Sequence, residues 1–137
     1  MRWIVYVDGA SSGNPGNSAA AFVVYDSEGK KLLSEAIYLG QSTNNRAEYE
    51  ALVRAMERAN LEGVDEIRVH SDSELVVRQI GGRYRVKDIM LQQYVARVQA
   101  LKKKFTSFEL IHVPRELNKE ADKLAQQASR RGADGWP

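Results

Sequence analysis

Cysteine is absent from the 137 residues, and histidine occurs only as His70 and His112. The first shortage removes thiol nucleophiles, thiolate zinc sites and disulfides, and the second removes a three-histidine zinc centre. Any metal must then sit on oxygen or imidazole, which leaves hard-cation chemistry on carboxylates. Long apolar runs are missing as well. None approaches the roughly 18 residues of a membrane span, and the amino terminus lacks the basic, apolar and small-residue zones of a signal peptide, so a cytoplasmic location is expected. No internal repeat or low-complexity linker divides the chain. With 43% hydrophobic and 28% charged residues, it is expected to form one domain over residues 1–132 around one core, with a loose tail over residues 133–137.

Net charge is small, +2, but unevenly spread: Arg78 to Lys104 holds eight Lys and Arg against Asp88 alone, a surplus of +7, which leaves −5 for the remainder. A polyanion lying on the basic segment while the acidic remainder holds cations would use this asymmetry. A solvated helix ending in a basic turn, complementary to its own dipole, would also produce it.

Trp3 to Val7 reads as a central strand ending at Asp8-Gly9, and Gly13-Asn14-Pro15-Gly16 as a rigid turn. Ala19–Tyr25 and Lys31–Leu39 follow as strands joined at Ser27-Glu28-Gly29, which makes three antiparallel strands. The period then changes to 3.6, with Glu48, Leu52, Ala55 and Ala59 aligned on a helix of roughly 16 residues. Ile67–Ser71 is a fourth strand, Glu74–Ile80 a short helix, and a further helix runs from about Asp88 to Lys104. Phe108–Val113 is a fifth strand, and Leu117, Ala121, Leu124, Ala125 and Ala128 stripe a last helix that stops before Gly132. The expectation is an α/β fold: a five-stranded mixed sheet, three antiparallel strands then two parallel, flanked by helices, with the first strand central. Ligands of such sheets bind at the carboxyl ends of strands, where Asp8 and Asp72 fall.

Each acid has a structural alternative. Asp8 shares a face with Ile4 and Tyr6, where a carboxylate is costly without compensation, yet Asp-Gly is also turn chemistry. Asp72 can be a helix N-cap. Glu48, three residues after Asn45, can close a capping box, although it lies on the apolar stripe. Asp122 can pair with Lys119 or Lys123 on the helix surface. Taken together, these four acids come from two strand ends and two inward helix faces that carry no Lys or Arg, and carboxylates that close call for divalent cations between them.

IVYVDGASSGNPG (4–16), TNNRAE (43–48), VHSDSELV (69–76) and HVPRELNKEADKLA (112–125) stand in an order that resembles the successive motifs of ribonuclease H type 1 and span most of the chain. The resemblance implies hydrolysis of the RNA strand of RNA/DNA hybrids, leaving 5′-phosphate and 3′-hydroxyl ends, with two Mg²⁺ ions as cofactor and Mn²⁺ as a possible substitute. It assigns the metal ligands to Asp8, Glu48, Asp72 and Asp122. Asp8 would bridge both ions, Asp122 would serve the ion carrying the attacking water, and Glu48 and Asp72 the ion at the leaving oxygen. Two ions about 4 Å apart lower the pKa of water and neutralise the phosphate, which suits this ligand set. Gly9, Ser11, Gly13, Asn14, Asn44, Asn45 and Glu74 match positions near the two strands. Short amides and close backbone suit reading of the 2′-hydroxyl in a shallow minor groove, although turn and cap chemistry accounts for Asn14 equally well. Thr43 matches part of a pocket for a DNA phosphate.

Several positions depart from the family pattern. Gln41 and Asp88 stand where an arginine and an asparagine often line that phosphate pocket, and Glu74 replaces a common glutamine. The basic handle after the second helix is missing, which leaves Arg83, Arg85 and Lys87 as the candidate hybrid contacts. The loop before the last helix lacks the histidine many relatives carry, so Arg115 is the cation expected to swing over the site, while His112, alternating with Leu110, is expected to be structural. The start at Met1 just ahead of the first strand favours an autonomous chain, expected to be monomeric with no obligatory protein partner and no hybrid-binding domain ahead of the core. The alternatives are a carboxylate nuclease acting on DNA junctions or transposon ends, a reverse-transcriptase-associated domain, and a catalytically silent hybrid-binding module.

Overall fold

The computed structural model describes residues 1–83 and 85–133. Its elements are β1 (Arg2–Gly13), β2 (Gly16–Tyr25), β3 (Lys31–Ser42), α1 (Asn44–Leu61), β4 (Glu66–Ser71), α2 (Glu74–Ile80), α3 (Ile89–Lys102), β5 (Ser107–His112), a 3₁₀ turn (Arg115–Leu117) and α4 (Lys119–Ala133). The sheet order is β3-β2-β1-β4-β5, antiparallel through β1 and parallel beyond it, with β1 central as the pattern requires.

Alternation along β1 sets the layering. Trp3, Val5 and Val7 join Phe22 and Val24 of β2 and the α1 residues Tyr49, Leu52, Val53 and Met56 in the main core. Burial of each such large side chain is worth roughly 1.5–3 kcal/mol over exposure. The opposite face is lined by small residues, Ala10 and Ala21, and these let Ala125 of α4 pack close. Asp8 lies on this second face between the two layers of helix, 3% exposed.

Most boundaries shift by one to three residues from the sequence expectation, and three of the differences bear on the site, each for a definable reason. β1 continues past Val7 to Gly13 because β2 supplies antiparallel partners from Asp8↔Ala21 to Gly13↔Gly16, whereas the parallel partner β4 stops at Val7↔Ser71. Asp8 therefore lies inside the strand, at the point where its parallel neighbour ends. α4 runs through Gly132, which is not a helix stop: a Cβ there would come within 2.0 Å of the Tyr38 ring. The expected domain boundary at 132 thus falls inside a helix, and residues 134–137 of the expected tail lie outside the described residues. The third is α1, which starts earlier than the apolar stripe alone suggests, because Thr43 caps it by accepting from Arg46 N at 3.2 Å. Among the described residues no helix is long and apolar enough to cross a membrane.

Candidate active site

Asp8 from β1, Glu48 from α1 and Asp72 after β4 each place a carboxylate oxygen within 4.8 Å of the others. Local chemistry explains why each is available. Ser73, not Asp72, caps α2 by accepting from Val76 N at 3.2 Å, so the Asp72 carboxylate is spared that role. Glu48 closes no capping box; it accepts from Gly9 N at 2.5 Å, across to the central strand. That approach needs glycine, since a Cβ on Gly9 would lie 2.4 Å from the backbone of Ala47 and Glu48.

Burial pushes the Asp8 carboxyl up to about 11, helped by repulsion from Glu48 and Asp72, and every contribution acts in the same direction. Burial also raises Glu48, to about 7, against hydrogen bonds from Asp8 and from the Gly9 amide. Two neighbouring acids raised together hold protons because nothing cationic stands between them.

Asp122, on α4, lines a cavity of about 420 Å³ with Asp8, Gly9, Ser11, Ser12, Asn44, Arg115, Gln126 and Arg130. Among the described residues it pairs with neither Lys119 nor Lys123. Its partners are Gln126, at 3.1 and 3.2 Å, Arg115 Nη2, at 3.8 Å, and the Asp8 carboxyl. Arg115 is 73% exposed. The remaining expected residues divide. Asn14 Oδ1 accepts from Asn44 N at 3.1 Å, which stitches the β1–β2 hairpin tip to the start of α1, and Ser11 Oγ donates to Gly13 O. Gly13 has φ of 110° there, a conformation glycine adopts without strain. Thr43, Asn14 and Asn45 line a second cavity with Arg46, Asp88, Met90 and Leu91. Asp88 caps α3 through Leu91 N, and Gln41 turns to Asn17 instead, so Arg46 is the cation at this cavity. Arg46 Nε donates to the Tyr94 hydroxyl at 3.1 Å, and that hydroxyl donates to the buried Glu50 at 2.6 Å.

Glu74 is drawn away from the carboxylates into an i,i+4 pair with Arg78 at 2.8 Å. Arg83, Arg85 and Lys87 are exposed on the connection between α2 and α3. His112 is exposed at the end of β5, so the structural role expected of it lacks the burial it would need. Sequence reasoning missed Asn118 and Gln126. Asn118, 1% exposed, donates from Nδ2 to Val7 O at 2.8 Å and to Asp72 Oδ2 at 3.4 Å, tying the last helix to the central strands. Both lie four residues from Asp122, and that helical spacing was a readable signal.

A mixed sheet with carboxylates gathered where its central parallel strands end is a class of metal-binding hydrolase architecture, and known proteins narrow it. Residues 6–128 match the family model described as reverse transcriptase-like. The ribonuclease HI of Halobacterium salinarum is 39% identical over 123 residues, covering 90% of this chain and 62% of that protein. The crystal structure of RNase H1 from Halobacterium salinarum superposes with a TM-score of 0.91 at 38% identity, covering 93% of this chain and 97% of that one. LC11-RNase H1, solved in complex with an RNA/DNA hybrid, superposes with a TM-score of 0.90 at 39% identity, covering 96% and 99%. The chain belongs to the ribonuclease H type 1 family. It spans less than two thirds of the length of the curated Halobacterium relative.

Proposed function

We propose that this chain is a metal-dependent endoribonuclease that hydrolyses the RNA strand of RNA/DNA hybrids, leaving 5′-phosphate and 3′-hydroxyl ends. The observation that carries the reading is the convergence of Asp8, Glu48 and Asp72 within 4.8 Å, with both Asp8 and Glu48 driven toward protonation. An all-oxygen donor set of this kind fits Mg²⁺, with Mn²⁺ as a substitute. Asp8, Glu48 and Asp72 would hold one ion, and Asp8 with Asp122 the second. When bound, such ions supply charge neutralisation at the scissile phosphate and a nucleophilic water at neutral pH. The protein's own groups do the positioning: the Gly9 amide fixes Glu48, and Asn118 fixes Asp72 against β1. The hybrid complex of LC11-RNase H1 supports the substrate class. Asn44, beside the carboxylates, and Asn14 and Asn45, at the adjoining cavity, are the short amides suited to a minor groove. Residues 1–133 would act as one catalytic domain, monomeric and cytoplasmic. Product ends test the chemistry: labelling by a kinase only after phosphatase treatment is expected, and RNA fragments ending in 3′-phosphate would exclude the mechanism.

Arg115, 73% exposed, is a cation that lines the cavity and pairs with Asp122. It cannot act as a general base, because guanidinium stays protonated at working pH, so it would attract the scissile or departing phosphate. Arg115→Ala is expected to slow turnover roughly 10-fold, the scale of one charge-assisted contact. Steady-state rates at saturating Mg²⁺ check this, and an unchanged kcat would remove Arg115 from the site.

The basic segment divides by position. Thr106 N donates to Asp65 O at 2.7 Å, which places the turn containing Lys103 and Lys104 at the amino end of β4, away from the carboxylates. Arg83, Arg85 and Lys87 instead lead into the start of α3, beside the Thr43 cavity. Replacing all three by Gln is expected to reduce the slope of log affinity against log salt by roughly 3, about 1 per lost phosphate contact. Binding titrations at several salt concentrations read this directly. A wild-type slope in that variant would make the segment a solvated surface.

A further inference from the structure

We propose that Gln126 is the positioning residue for Asp122, and that Arg130 sets the polarity of its amide. This rests on the ribonuclease reading above.

Asp122 differs from the other three acids in how it is held. Asp8, Glu48 and Asp72 crowd one another, whereas Asp122 stands on a helix beside that group and reaches Asp8, with 24% of its side chain exposed. From the sheet it meets only another acid, the Asp8 carboxyl, which is no anchor for a second carboxylate. Repulsion from a cluster of carboxylates would favour rotamers that turn Asp122 outward, toward the exposed Arg115. Gln126, one turn further along α4, opposes that drift: its Nε2 donates to both carboxylate oxygens, at 3.1 and 3.2 Å.

An amide is useful here because it is neutral. It orients the carboxylate without cancelling the charge that a cation and a phosphate must meet. A glutamine can, however, present either end. Arg130 Nη2 donates to Gln126 Oε1 at 3.2 Å, which directs the amide oxygen away from Asp122 and its N–H groups toward it. All three side chains line the same cavity as Asp8 and Asn44. The relay Arg130–Gln126–Asp122 thus follows the i, i+4, i+8 face of one helix and ends at the candidate site.

Hydrogen-bond partners of metal ligands typically contribute 10–100-fold to affinity or activity. Gln126→Met, of similar length but without the donor, is expected to lower kcat about 10-fold while KM for the hybrid stays within about 2-fold. Gln126→Asn, which keeps a neutral amide donor one methylene shorter, is expected to recover part of kcat, to within about 5-fold of wild type. Arg130→Met is expected to produce a smaller fall in kcat than Gln126→Met. An independent readout is the side-chain amide resonance of Gln126 in ¹H–¹⁵N spectra. It should shift saturably on titration of the free protein with Mg²⁺ and stay still in Asp122→Asn. A Gln126→Met enzyme with wild-type kcat, a loss confined to KM, or an amide resonance indifferent to Mg²⁺ would overturn the assignment. If wild type fails to cut hybrids at all, the ribonuclease reading fails, and the Mg²⁺ titration alone then decides the role of Gln126.

Discussion

Asp8→Asn is expected to abolish turnover, by roughly 1,000-fold or more, a loss of about 4 kcal/mol of transition-state stabilisation. In the same variant the metal-free protein is expected to become more stable. Asp8 belongs to both proposed ion sites, so the neutral amide removes the group that no neighbour can replace. The stability gain follows from proton linkage. Asp8 and Glu48 bind protons more tightly in the folded protein than in the unfolded chain, whose values are near 3.8 and 4.5. Stability contributed by such groups is fully present below the unfolded values and is lost as pH rises through about 7 for Glu48 and toward the folded value of Asp8. In chelator, wild type should therefore lose Tm between pH 5 and pH 9, while Asp8→Asn should lose less and melt roughly 5 °C or more higher at pH 8. Mg²⁺ should narrow the difference by stabilising wild type alone. Equal melting temperatures in chelator at pH 8 would mean that the carboxylates do not repel one another as their burial requires.

Gly9→Ala is expected to damage both fold and site. Its Cβ would lie 2.4 Å from Ala47 C and Glu48 N, which are backbone atoms unable to swing aside. Either β1 or α1 must move, at a cost of roughly 1–3 kcal/mol or somewhat more. The same movement breaks the bond from Gly9 N to Glu48, so the surviving folded protein should turn over roughly 100-fold more slowly, about 2.7 kcal/mol in the barrier. Urea denaturation and steady-state kinetics on the same sample separate the two effects. Wild-type stability would show that α1 does not approach β1 as closely as described.

Much of this architecture is legible in the residues. The switch from period 2 to period 3.6 after Leu39, the Glu74–Ile80 helix and the central position of the first strand all follow from hydrophobic spacing and connection length. So does the meeting of Asp8, Glu48 and Asp72, because acids on apolar faces of elements that share one sheet end have few other places to go. What escapes is information carried by partners distant in sequence. The extent of β1 depends on β2 outrunning β4, and the place of Gly132 in α4 depends on the Tyr38 ring. Capping is ambiguous for a different reason: Asp72 and Ser73 are both good caps, and only the geometry of the turn chooses the serine. Asn118 looks like an ordinary helix start until its burial against Val7 is known.

Strand choice and metal dependence define a ribonuclease H most directly. Wild-type protein should be incubated with an RNA/DNA hybrid labelled differently on each strand, beside double-stranded DNA, in Mg²⁺ and in chelator. Cleavage of the RNA strand of the hybrid in Mg²⁺ alone, with both the DNA strand and the DNA duplex intact, is the predicted result. Cutting of the DNA strand, undiminished cutting in chelator, or binding of the hybrid in Mg²⁺ without any cleavage would contradict it.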